Sequence, residues 1–182
     1  MPRAEHNLWY IMTLMDASAW HTFAALIFDI GLTLGVGSST FALIFFIRAL
    51  EDGTIDSSEK RFMHTVYFVL RIGMVLIAAG LIATLQTGQD LPPSQYAMQW
   101  TLLAVITVNA LLMTWKLMPM SIGPVLAGGS WYSLFLATAL PFGAVPYTGM
   151  LAYYAGFLVV FFAIWTALKR RFMRPPQSAR AR

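Results

Sequence analysis

The chain has 182 residues, of which 58% are apolar and 11% charged, with a net charge of +4 and no cysteine. A soluble domain has about 45–50% apolar and about 25% charged residues, so this composition points to a bilayer as solvent. The missing cysteine excludes disulfides, thiolate metal sites and cysteine nucleophiles. The basic excess gathers at the C-terminus beside an apolar segment, which suits lipid headgroups and excludes a nucleic-acid reading.

Residues 1–20 open with a short apolar run, Leu8 to Met15, and Ala17-Ser18-Ala19 has the small-x-small form of a signal-peptidase site. The preferred reading is an interfacial helix with Trp9, Tyr10 and Trp20 at headgroup level. Cleavage is the alternative.

A transmembrane helix needs about 20 mostly apolar residues. Five such stretches fill residues 21–168: His21 to Ala49, Phe62 to Leu85, Tyr96 to Leu117, Ile122 to Leu140 and Thr148 to Leu168. The fourth is the shortest and is framed by Pro119, Pro124, Pro141 and Pro146. The expected fold is therefore an all-α integral membrane bundle of about five helices.

Loop charge sets the expected orientation. The first connection carries Arg48, Lys60 and Arg61, and the third carries Lys116. The second and fourth have no Lys or Arg, while residues 169–182 hold Lys169, Arg170, Arg171 and Arg174. By the positive-inside rule the N-terminus lies outside and the C-terminus in the cytoplasm of a bacterial inner membrane. The tail is expected to attract anionic lipid.

In the first span Gly31, Gly35 and Ser39 recur every four residues, the small-xxx-small pattern that lets helix backbones approach. Packing within the chain is one use of this stripe; homo-oligomerisation is another. Asp29, Thr33, Val36 and Thr40 form a second stripe nearly opposite. Ionisable residues within a span are costly and are functional candidates. Asp29 and Arg71 are of this kind, and Asn109 is their strongest neutral companion. Counting residues along the helices puts Arg71, Asn109 and Ser38 to Thr40 at one depth. They are expected to form one hydrogen-bonded cluster, with Asp29 roughly 13 Å further out.

No catalytic motif stands in the chain. Gly31 to Thr40 lacks the Lys of a phosphate-binding loop and lies inside a span. One embedded carboxylate does not make an aspartyl protease. A serine nucleophile, Ser38 or Ser39 with His64 as base, is conceivable. No cofactor is expected. His21 and His64 are roughly 40 Å apart in depth and do not share a haem. Haem b held by His64 with Met113 or Met118 stays open as the third-ranked reading. The 11 methionines form no compact copper cluster.

The stretch GLTLGVGSSTFALIFFIRALEDGTID, Gly31 to Asp56, and VNALLMTWKLMP, Val108 to Pro119, resemble a group of bacterial multi-pass membrane proteins with a Gly-rich first span, a short charged loop and a third-span Asn. The resemblance covers roughly half the chain and implies a helical membrane protein, with no activity attached. Members often carry a His before the Gly-rich run and an acidic residue after it; here those places read Phe28-Asp29 and Phe41-Ala42. The leading expectation is an accessory or scaffold subunit of a membrane complex. A small oligomeric transporter or channel using Asp29, Thr33, Thr40, Arg71 and Asn109 is the alternative.

Overall fold

The computed structural model describes residues 3–52, 57–87, 92–118, 122–140, 142 and 144–172. Side chains are described within 18–48, 61–85, 92–118, 122–123, 125–140, 142 and 144–171. Five helices follow one another: α1 Arg3–Asp52, α2 Ser57–Thr87, α3 Pro93–Thr114, α4 Gly123–Ala139 and α5 Tyr147–Phe172. No strand occurs among the described residues.

Four helices contain stretches long and apolar enough to cross a bilayer: Ser18–Arg48, Arg61–Leu85, Pro93–Thr114 and Tyr147–Arg171. The fifth, α4, has 17 residues. At 1.5 Å per residue it is about 25 Å long, short of the roughly 30 Å hydrocarbon core. Pro124 stands in its first turn, where a helix tolerates proline.

The N-terminal segment is helical. Its backbone continues into the first span as one 50-residue helix. The side chains of Trp9, Tyr10 and Ala17 lie outside the described residues.

Between apolar helices in lipid, close packing of small residues replaces the hydrophobic drive. The α1–α2 contact shows this. A Cβ at Gly31 would stand 2.8 Å from the Gly73 carbonyl oxygen and 2.9 Å from the Ile77 nitrogen. A Cβ at Gly80 would stand 2.7 Å from the Phe28 Cβ. Glycine on both helices lets the backbones touch, and any side chain there would force them apart. Gly35 faces α4 as well, where the Trp131 indole fills the space a side chain would take.

The shortest helix occupies the centre. α4 packs against α1, α3 and α5, whereas α2 touches α1 and, along a smaller surface, α3. Trp131 and Leu134 of α4 are buried with Leu102, Ile106, Ile77 and Met150 in one core. Large apolar side chains such as Phe68, Val75, Val159 and Ile164 face outward, as lipid-facing residues do.

Candidate functional site

The antiparallel α1–α2 contact provides a ruler of depth. Phe28 meets Gly80, and Gly31 and Gly35 meet Gly73. The apolar stretch of α2 runs from Arg61 to Leu85, so its midpoint falls at Gly73, beside Thr33 of α1. Asp29 then lies roughly 6 Å from the midplane and Arg71 roughly 3 Å on the other side. Both are deep, and both are exposed on the flanks of the bundle.

They do not meet. Asp29 is about a half turn away from Gly31, so it points away from α2. Arg71 is likewise turned away from α1 and reaches α3, where its Nη2 donates to Thr114 Oγ1 at 3.4 Å. Asp29 has no hydrogen bond or ion pair among the described residues. Thr33, one turn along, is exposed too.

The expected single cluster of Arg71, Asn109 and Ser38 to Thr40 is corrected by these contacts. Asn109 is buried, and its Nδ2 donates to the Gly123 carbonyl at 3.2 Å, tying α3 to the first turn of α4. A weaker contact joins it to Met113 sulfur at 3.8 Å. Thr40 pairs with the Tyr132 hydroxyl at 2.7 Å. Ser39 is buried with Gly31 and Gly35 on the inner side of α1. The residues lie at neighbouring depths but face different helices. The stripe from Asp29 to Thr40 also splits, because Val36 and Thr40 are half-buried while Asp29 and Thr33 are exposed.

Lys116 lies beyond the end of the third helix. The third helix ends at Thr114, short of the expected Leu117. Lys116 adopts φ 58, the left-handed geometry of a helix terminus. Its amide donates to the Met113 carbonyl at 3.1 Å, and Leu117 donates to that of Leu112 at 2.9 Å.

The most polar part of the interior lies elsewhere, at the interfaces of α3, α4 and α5. Gln95 Nε2 donates to the Ala137 carbonyl at 2.9 Å, and Gln99 Nε2 to Thr138 Oγ1 at 3.4 Å. Ser130 pairs with the Tyr154 hydroxyl at 2.7 Å, and Thr101 with that of Tyr147 at 2.8 Å. Gln99 Oε1, Asn109 Oδ1 and Ser133 Oγ are buried without a partner among the described residues. Leu102, Ile106 and Leu134 lie buried in the same core. These polar groups act as separate ties between helices. Reasoning from charge passed over them, although Gln95 and Gln99 stand four apart in a span with apolar neighbours.

The two embedded histidines are far apart. Through the α1–α2 pairing, His21 lies near Leu85, roughly 30 Å from His64 in depth. Met113 and Met118 pack over Gly123, and Met113 sulfur already faces Asn109. No group of three His, Asp or Glu comes together among the described residues. Met12, Met15 and Met120 fall outside the described side chains.

Lys169, Arg170 and Arg171 occupy the last turn of α5, while Arg174 lies outside the described residues. A groove of about 370 Å³ runs between α1, α4 and α5 toward that end. None of Asp29, Thr33, Thr40, Arg71 or Asn109 lines it. No protein family, no curated protein and no solved structure matches this chain.

Proposed function

We propose that the chain is a non-enzymatic membrane component, an accessory or scaffold subunit that presents the outer face of α1 to another membrane protein. It would sit in a bacterial inner membrane, N-terminus outside and C-terminus cytoplasmic, as its loop charges favour. A second copy of the chain is the alternative partner.

The observation that carries this reading is Asp29. It is exposed roughly 6 Å from the midplane and has no hydrogen bond or ion pair among the described residues. An Asp at the centre of a membrane helix costs about 2.5–3.5 kcal/mol on insertion scales. Such residues face a protein interior or a water-filled cavity. Burial against a partner removes the lipid contact. The surrounding face fits this use: Leu26, Ile30 and Phe41 are exposed apolar residues, and Gly37 has open space above it. A transport pathway would have to join Asp29, Arg71 and Asn109, which face three different directions.

The test is extraction of the native protein in mild detergent, sizing of the particle and identification of its proteins by mass spectrometry. A large particle containing other gene products, lost in Asp29→Leu and kept in Tyr67→Leu, is the expected result. A small particle holding this chain alone would overturn the subunit reading and bring transport forward.

A further inference from the structure

We infer that the groove between α1 and α5 is a binding site for one anionic phospholipid, with an acyl chain in the groove and the headgroup at its basic end. This holds whichever protein the chain joins.

The groove is built for an apolar occupant. Leu43 and Ile47 of α1 form one wall and Phe161, Trp165 and Leu168 of α5 the other, with Tyr132 of α4 at the base. Two lining side chains carry a polar group. The Tyr132 hydroxyl is taken by Thr40, and the Trp165 indole N–H is buried without an acceptor among the described residues.

Size suits an alkyl chain. From Phe157 to Leu168 the groove follows α5 for roughly 16 Å. A helix is about 10 Å wide, whereas the groove holds about 370 Å³ and is open along its side. A single alkyl chain is much thinner and suits this volume.

Charge then selects the headgroup. Both walls end in cations, Ile47 being followed by Arg48 and Leu168 by Lys169, Arg170 and Arg171. Arg48, Arg170 and Arg171 are exposed. The next residues of α1 include Glu51 and Asp52, so α5 supplies the cationic surplus. A lipid seated with its tail toward Tyr132 places its phosphate within reach of these groups, where charge-assisted hydrogen bonds are strong. Basic residues beside a membrane helix draw anionic lipid in the same way.

The purified chain in mild detergent would be offered phosphatidylglycerol or phosphatidylethanolamine with identical acyl chains, and retained lipid counted by native mass spectrometry. We expect one phosphatidylglycerol held per chain, severalfold in excess over phosphatidylethanolamine. Val160→Trp, which fills the groove from its exposed rim, should abolish retention of both lipids. Replacing Lys169, Arg170 and Arg171 with Gln should remove only the preference. Both variants should keep the wild-type helical circular dichroism, since the altered side chains lie at the surface. Equal retention of the two lipids by the wild type, or undiminished retention by Val160→Trp, would overturn the site. So would efficient crosslinking between copies through Val160→Cys, which would make a second chain the occupant.

Discussion

Gly31 and Gly73 bring the backbones of α1 and α2 into direct contact, the Gly73 oxygen standing 2.8 Å from where a Gly31 side chain would begin. In lipid this contact has no hydrophobic drive behind it and rests on dispersion between closely packed atoms. It therefore depends on the absence of one methyl group.

Gly31→Ala should destabilise the bundle by about 1–3 kcal/mol, the usual range for overpacking. Gly37→Ala is the internal control, because nothing lies within 4 Å of that position. It should be neutral or stabilise by about 0.5–1 kcal/mol through helix propensity. Reversible unfolding of the detergent-solubilised chain, followed by circular dichroism, reads both. Equal effects of the two substitutions would contradict the contact.

Gln95 and Gln99 look equivalent in sequence but have different roles. Gln95 donates to the carbonyl of Ala137, in the last turn of α4, where carbonyls have no helical partner. Gln95→Met leaves that buried acceptor unmet and should cost about 1–3 kcal/mol. Gln99 makes a long 3.4 Å bond and leaves Oε1 unpaired. Gln99→Met removes both the weak bond and the orphan, and should fall within about 1 kcal/mol of the wild type. The same unfolding measurement ranks the pair, and the reverse order would show the Gln99 orphan to be satisfied in the membrane.

Helix number and order were legible because they follow from apolar length. Apolar length sets the number of spans, and 1.5 Å per residue sets how far along each a residue sits. Azimuth was not legible, because it depends on which helix packs where. Counting placed Arg71 and Asn109 at similar depth, yet Asn109 is turned to Gly123 and Arg71 to Thr114. The central position of α4 was equally hidden. Its short length and proline frame suggested a marginal span, while Trp131 and Leu134 make it the hub of the core. Neutral side chains buried along that hub carry weak signals beside a lone carboxylate, which is why Gln95 and Ser130 escaped a search guided by charge.

Lys116 occupies a place where glycine is the usual residue. With φ 58 it closes α3 in a Schellman arrangement, bonded as described above. A side chain in this left-handed conformation costs roughly 1–2 kcal/mol. Lys116→Gly should relieve part of that and stabilise the chain by about 1 kcal/mol, whereas Lys116→Val should destabilise it. Thermal midpoints of the two variants, on either side of the wild type, would establish the strain. A Lys116→Gly protein that melts lower would locate the role of Lys116 in its charge.

Asp29 separates folding from assembly. Since it makes no hydrogen bond or ion pair among the described residues, Asp29→Leu should change the stability of the isolated protein by no more than about 0.5 kcal/mol. Insertion should become easier, because the carboxylate no longer enters hydrocarbon. The native particle should nevertheless lose its partner, and Asp29→Asn should hold it partly through the remaining hydrogen-bonding capacity. Unfolding in detergent and native gel mobility together give the decisive comparison. A substitution that weakens the isolated fold would place the Asp29 partner within this chain. One that spares both fold and particle would move the docking face to another side of the bundle.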